Sequence, residues 1–288
     1  MADRNQISEK TFEDAVIRGL QHPDAEGNAR WYTFIPAKDD TSSDWRFDRE
    51  YAMDTQAFQE FLSETQPKEV AKVERQYGEQ WSEKVLKRLA QVIDDKGLLH
   101  VLRHGFRMAP GAIFQLVYFK PANDLNHEAV ENYRLNRFRV TRQLRFGTLP
   151  SDRNDSLDVV AMVNGFPLVT IELKNPLTGQ TGIDAIMQYQ RDRDPRELIF
   201  KPDMRSLVHF AVDPDEVYMT TMLKGTDTFF LPFNKGNGHD GAGNPPAEPG
   251  EFKTSYLWNE VLRPDSLVNT MTESNNASPS GRVSPESS

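Results

Sequence analysis

Two carboxylates and one ammonium group are concentrated in a short apolar segment of the chain. Residues 157–175 read LDVVAMVNGFPLVTIELKN and include Asp158, Glu172 and Lys174. Side chains alternate along a strand, so Glu172 and Lys174 point to the same face. The Asn164-Gly165 pair is a strong β-hairpin signal, and counting outward from it brings Asp158 within about one residue of Glu172. Cross-strand neighbours have Cβ atoms roughly 5 Å apart, so the segment predicts a cluster of these three charged groups.

Such a cluster has a chemical cost and a chemical use. Two carboxylates that face each other between apolar strands repel, and unless they are compensated at least one should take up a proton. A divalent cation removes the conflict, and Mg²⁺ prefers oxygen ligands. Three oxygen ligands could come from Asp158, Glu172 and the backbone carbonyl of Leu173. Lys174 would then lie close to a metal-bound water and a phosphate oxygen. These are the parts that metal-assisted phosphodiester hydrolysis requires. The alternative is a surface hairpin with an ordinary Glu172–Lys174 neighbour pair, since E-x-K alone is a weak signal.

A cationic segment precedes this hairpin in a chain whose net charge is −9. Residues 133–146, YRLNRFRVTRQLRF, contain no acidic residue. Guanidinium groups pair bidentately with phosphate, so the segment is a candidate DNA-backbone contact. The alternative is that its arginines pair with nearby acids such as Glu128 and Glu131. The candidate DNA-binding residues are Arg137, Arg139, Arg142 and Arg145.

The elements that must position these residues follow from hydrophobic periodicity. Residues 8–21 have Phe12, Val16 and Leu20 on one helical face, and residues 54–96 carry helical stretches separated by Pro67 and Gly78. From Leu98 onward, strand-like runs at 112–119, 136–146, 157–163 and 168–174 precede a helix-like stretch at 182–193, and two more such runs follow. This order predicts an α/β domain whose mixed central sheet is flanked by helices.

Composition excludes several classes of protein. The chain has no Cys, which rules out disulfides and Cys-ligated metals. It lacks a nucleotide-binding P-loop and a serine-hydrolase G-x-S-x-G motif. No apolar run approaches the ~18 residues that a bilayer span needs. We therefore expect a soluble, cytoplasmic protein without membrane contact.

The charged hairpin resembles a known nuclease motif. Asp158 followed by Glu172-Leu173-Lys174 is similar to the Asp…Glu-x-Lys motif of the restriction-endonuclease-like fold. Over roughly residues 8–265 the chain resembles the N-terminal region of the restriction (motor) subunit of type I restriction-modification enzymes. The similarity is carried by VLRHGF (101–106), NRFRVTRQLRF (136–146), IELKNPLTGQ (171–180), QYQRDRDP (188–195), HFAVDPDEVYMTT (209–221) and FLPFNKG (230–236).

This resemblance implies a core sheet flanked by helices and Mg²⁺-dependent cleavage of double-stranded DNA, with Asp158, Glu172 and Lys174 as the catalytic triplet. It also implies assembly with methylation and specificity subunits. Gln188 fits the Gln of a family Gln-x-x-x-Tyr motif, whereas Asp192 stands at the Tyr position and Tyr189 is a partial substitute. Glu9 or Glu13 of the first helix is expected to complete the metal site.

The resemblance also sets the expected domain boundaries. An endonuclease domain should span 1–265, with a helical region at about 1–97, a nuclease core at about 98–265 and a disordered tail at 266–288. In the family an ATP-driven translocase follows, but no ATP-binding motif is present here, so ATP is expected only as a cofactor of the complete enzyme. We expect a nuclease domain truncated before that motor. A catalytically silent DNA-binding or assembly module and an inactive gene fragment remain alternatives.

Overall fold

A seven-stranded sheet forms the centre of the computed structural model, which describes residues 9–22, 31–36, 47–123, 125–150, 155–175, 179–237 and 241–272. Its spatial order is the first strand, then the fourth to the ninth in sequence. The first strand runs parallel to the fourth and the sixth parallel to the seventh, and the other neighbours are antiparallel. The predicted mixed sheet is confirmed. Its strands are β1 (Thr33–Phe34), β4 (Phe138–Arg145), β5 (Ser156–Val163), β6 (Phe166–Leu173), β7 (Val208–Val212), β8 (Val217–Thr220) and β9 (Leu231–Pro232).

Helices flank this sheet, as the periodicity predicted. The helical region breaks at Pro67 and Gly78, the two positions expected. Of the predicted strand at 112–119, only three residues form a strand, in a separate two-stranded sheet of β2 (Phe106–Met108) and β3 (Ala112–Phe114). The helices are α1 (Glu9–Leu20), α2 (Thr55–Thr65), α3 (Pro67–Tyr77), α4 (Trp81–Lys96), α5 (Leu98–His104), α6 (His127–Arg134), α7 (Gly182–Arg191) and α8 (Pro264–Thr272).

The hairpin of β5 and β6 lies in the middle of the sheet, which excludes a surface hairpin. Every residue of β6 is buried, with β5 on one side and β7 on the other. Asn164 and Gly165 form its two-residue turn with φ values of 49° and 91°, as expected for the primed turns of hairpins. A Cβ on Gly165 would lie 2.3 Å from the carbonyl oxygen of Asp54, so glycine is required where the turn meets the start of α2.

One hydrophobic cluster joins the helical region to the sheet. It includes Phe12, Phe58 and Leu89 from the helices and Val159 and Ile171 from the strands. Because these side chains share one core, packing of the N-terminal helices fixes the strands that carry the charged hairpin. The proposed boundary near residue 97 remains a prediction.

The prediction of a disordered tail from residue 266 is wrong for its first seven residues. They belong to α8, whose Leu267, Val268 and Met271 are buried in the same cluster. The polar composition of the following residues concealed this short apolar face, and residues 273–288 lie outside the described part. Among the described helices, none has the length and apolar character needed to cross a membrane.

Candidate functional site

Asp158 and Glu172 face each other across the central hairpin. The register pairs Val159 with Ile171, so one step further along each strand Asp158 lies opposite Glu172. Both are buried, at 8% and 0% exposure. The backbone N–H of Leu173 donates to Asp158 Oδ2 at 2.8 Å, which fixes the orientation of that carboxylate. The predicted juxtaposition of the two acids is confirmed.

Glu172 has a cationic partner that the sequence analysis did not include. The Nε–H of Arg193, which lies just beyond α7, donates to Glu172 Oε1 at 2.7 Å, and both side chains are almost fully buried. Within the described residues, Glu172 Oε2 is buried without a hydrogen-bond partner. The repulsion between the two carboxylates is therefore offset in part by Arg193, which supplies one positive charge that the sequence analysis did not foresee.

The electrostatics of Glu172 nevertheless favour its protonated form. Burial raises the pKa of Glu172 well above its ordinary value, and the neighbouring Asp158 charge raises it further, whereas Arg193 opposes both effects. Desolvation and like charge thus outweigh the ion pair. A second cation bound at Oε2 would stabilise the ionised form.

Glu13 reaches the site through an intermediary. The amide of Gln143 on β4 donates to Glu13 Oε2 at 2.9 Å and to Asp158 Oδ1 at 3.2 Å. Within the described residues, no group of three acidic or histidine side chains is close enough to hold an ion. The prediction of Glu13 as a metal ligand alongside Asp158 and Glu172 is therefore not supported, because a side-chain amide separates it from Asp158. The side chain of Glu9 lies outside the described part.

Gln143 adopts a backbone conformation that is unusual within a strand. Its φ is 51°, in the left-handed region that costs a non-glycine residue roughly 1–2 kcal/mol. Burial raises the pKa of Glu13, while the Gln143 hydrogen bond and the Arg142 charge lower it. The strained residue thus bridges two carboxylates whose charges disfavour each other.

Lys174 and Gln188 line the same cleft as Asp158. The cleft has a volume of about 920 Å³. Within the described ranges Lys174 forms no ion pair, so its ammonium is available to an anion. The Gln188 Oε1 atom is buried and has no hydrogen-bond partner among the residues that the structure describes. The cleft is lined by Asp155, Ser156, Asp158, Lys174, Gln188, Gln190, Arg191, Asp192, Arg193, Asp194, Pro195, Gly225 and Thr226.

Tyr189 does not take over the role of a cleft tyrosine. It is fully buried, and its hydroxyl lies 2.8 Å from the Thr170 hydroxyl, which in turn contacts His209. Burial lowers the pKa of His209 to about 3, so this is a neutral core network. The suggested partial substitution is wrong, whereas Asp192 is exposed at the end of α7 and does line the cleft.

Three of the four candidate DNA-binding arginines are committed to carboxylates. Arg137 pairs with Glu60 and Glu64 of α2, and Arg139 pairs with the buried Asp54 at 2.6 Å. These partners lie far away in the sequence, and local reasoning named Glu128 and Glu131 instead. Arg134 does pair as that local reasoning suggested, with Glu131.

Arg142 follows the same pattern nearer the site. It contacts Asp14 at 2.5 Å and Glu13 at 3.4 Å, so it holds α1 against β4. The interpretation of Arg137, Arg139 and Arg142 as phosphate contacts is therefore wrong. Arg145 is exposed at the end of β4, and its DNA-binding role remains a prediction.

The model of the family described as the type I restriction enzyme R protein N terminus matches residues 42–228. The chain belongs to this family. The matched region includes Asp158, Glu172, Lys174 and Gln188, but it excludes α1 and therefore Glu13. Among curated proteins no match was found.

The donor set of the site fits the hard divalent cation that the fold family implies. Asp158 and Gln188 line the cleft and offer a carboxylate and an amide oxygen, and the fully buried Glu172 offers a second carboxylate beside Asp158. Within the described residues, Glu172 Oε2 and Gln188 Oε1 are buried without hydrogen-bond partners, and a bound ion or water is one explanation of such atoms. Mg²⁺ binds few protein ligands and keeps several waters, so it does not require three clustered acids.

Proposed function

We propose that the chain is the Mg²⁺-dependent endonuclease domain of a type I restriction enzyme and hydrolyses phosphodiesters of double-stranded DNA. The observation that carries this proposal is the opposition of Asp158 and the fully buried Glu172 on central strands, beside an open cleft lined by Asp158 and Lys174. Within the described residues, Glu172 Oε2 has no hydrogen-bond partner and Lys174 forms no ion pair. Family membership places the chain in a restriction-enzyme subunit. The activity itself is our inference from the site.

Each residue of the site would have a separate role in this reaction. Asp158, Glu172 and Gln188 would hold the ion, which supplies a Lewis acid and an activated water. Lys174 would bind a non-bridging phosphate oxygen and stabilise the charge that develops in the transition state. The Leu173 N–H holds the Asp158 carboxylate in place.

The charge distribution explains why partners would be needed. Asp155, Asp192 and Asp194 line the cleft, and Arg137, Arg139 and Arg142 are engaged in ion pairs with carboxylates. Duplex DNA is held mainly by cations on its phosphates, so the isolated chain should bind DNA weakly. Methylation and specificity subunits would then deliver the substrate, and ATP would serve only the motor of a complete enzyme.

A plasmid-cleavage assay tests the proposal on the purified chain, with and without Mg²⁺, alone and with partner subunits. Asp158→Asn and Lys174→Met should each reduce cleavage by at least about a hundredfold, the usual effect of losing a group that stabilises transition-state charge. Lys201→Met, which removes an exposed lysine outside the cleft, should cut like the wild type.

The possible results separate the candidate functions. Near-normal cutting by the Asp158 or Lys174 variant would contradict the site. Assembly with partner subunits but no cleavage under any condition would instead favour the silent assembly module.

A further inference from the structure

Arg193 is anchored in the site by several contacts besides its ion pair with Glu172. Its side chain is only 4% exposed. The guanidinium also lies 5.7 Å from the centre of the Phe146 ring. Its other hydrogen-bond acceptors are the Ser156 carbonyl at 2.9 Å, the Asp192 carbonyl at 3.3 Å and the Asp155 carboxylate at 3.4 Å.

These contacts decide which oxygen of Glu172 remains available. Backbone carbonyls and an aromatic ring hold the guanidinium without any help from Glu172, so a change at that carboxylate does not release it. Arg193 therefore keeps Oε1, and Oε2 is the oxygen left without a hydrogen-bond partner in the described part of the chain. If Arg193 instead occupied the metal position and left when an ion bound, most of its contacts would be to the Glu172 carboxylate.

We propose that Arg193 is a positioning residue that fixes Glu172 as a one-oxygen metal ligand, with Oε1 bound to the guanidinium and Oε2 presented to the ion beside Asp158. This inference rests on the proposed function, because it assumes a divalent ion at the Asp158–Glu172 pair. Outer-shell partners of this kind orient ligands, and their loss typically weakens metal affinity by about 10–100-fold.

Calorimetric titration of the whole chain with Mn²⁺ tests the inference without requiring cleavage. Arg193→Met keeps most of the volume but leaves the carboxylate free to rotate, and we expect its Mn²⁺ dissociation constant to rise at least about tenfold. Arg193→Lys can restore one donor to Glu172, and its Mn²⁺ dissociation constant should lie between those of the wild type and Arg193→Met. Arg134→Met is the matched control, since it removes an exposed arginine paired with Glu131 on α6.

The same titration distinguishes failure of the proposed function from failure of the Arg193 inference. If Glu172→Gln binds Mn²⁺ like the wild type, the metal site and hence the proposed function are wrong. If Glu172→Gln loses binding while a folded Arg193→Met keeps wild-type or tighter affinity, only the Arg193 inference is overturned, and tighter binding would identify Arg193 as a competitor.

A measurement on the wild type decides the matter even if the Arg193 variants do not fold. Infrared difference spectra of ¹³C-glutamate-labelled protein, with and without Mg²⁺, report the separation of the two carboxylate stretches. A wide separation, typical of one-oxygen coordination, is the expected result. A narrow separation, typical of two-oxygen coordination, would overturn the inference, because it requires Arg193 to give up Oε1.

Discussion

Replacing Glu172 with glutamine removes the negative charge of this side chain while keeping its size and shape. The amide keeps an oxygen that can accept from Arg193 Nε, as Glu172 Oε1 does now. It removes the charge that a cation would need beside Asp158. The variant should therefore fold but lose its response to divalent ions.

The size of the lost response follows from binding linkage. An ion that binds only the folded state at a hundredfold excess over Kd stabilises it by about 2.7 kcal/mol. At roughly 2–4 °C per kcal/mol for chains of this size class, Mg²⁺ should raise the wild-type Tm by about 5–10 °C. The Tm of Glu172→Gln should stay unchanged, whereas Asp192→Asn, which removes an exposed acid of the same cleft, should keep the full shift.

The pH dependence gives a second test of the same substitution. The pKa of Glu172 is raised in the folded protein above its ordinary value of 4.5. Its contribution to stability is therefore fully present below about pH 4.5 and is lost as pH rises through the raised folded pKa. Metal-free wild type should lose stability relative to Glu172→Gln across that window, and Mg²⁺ should reverse the loss by favouring the ionised carboxylate.

Differential scanning fluorimetry from pH 4.5 to 8, with and without Mg²⁺, makes both comparisons. For the metal-free proteins, the informative quantity is how the stability difference between wild type and Glu172→Gln changes with pH. Its absolute value also includes a second effect, because neutral glutamine leaves the buried Arg193 without its closest counter-charge. An equal Mg²⁺ shift in wild type and Glu172→Gln would show that the ion binds elsewhere. A flat stability difference across the pH range would refute the electrostatic account of Glu172.

Two further predictions concern residues around the site. Arg139→Ala should destabilise the fold by about 3 kcal/mol, because it leaves the buried Asp54 charge without its partner. Arg134→Ala, which removes an exposed ion pair, should destabilise it by less than about 0.5 kcal/mol. Urea unfolding measures both free energies, and equal losses would contradict a structural role for Arg139. Gln143→Gly should be more stable than Gln143→Ala by about 1 kcal/mol, because glycine relieves the left-handed φ and both variants lose the bridge to Glu13. Equal unfolding free energies in the two Gln143 variants would mean that the strand relaxes without strain.

The hairpin shows how much local pattern determines. Asn164-Gly165 sets a two-residue turn that pairs Val163 with Phe166, and counting from this turn places Asp158 within one residue of Glu172. A register shift between Ala161 and Met162, which the turn does not predict, then brings Asp158 directly opposite Glu172. The helix breaks at Pro67 and Gly78 follow from equally local backbone chemistry.

Partners from distant segments could not be counted in this way. Arg137, Arg139 and Arg142 pair with acids in or next to α1 and α2 that lie 73 to 129 residues away in the chain, and composition alone made them look like a DNA contact. Gln143 joins the site through a strained backbone, for which the residue type gives no signal.

Arg193 marks the same limit at the Asp158–Glu172 pair. Its position in QYQRDRDP is ordinary for a charged segment after a helix, yet packing buries it against Glu172 and Phe146. The sequence by itself determined that the two carboxylates lie close together with the lysine beside them, because alternation and turn geometry act over a few residues. Only the tertiary structure decided which cation meets Glu172 and which arginines are already neutralised, because ion pairing depends on what folding brings together.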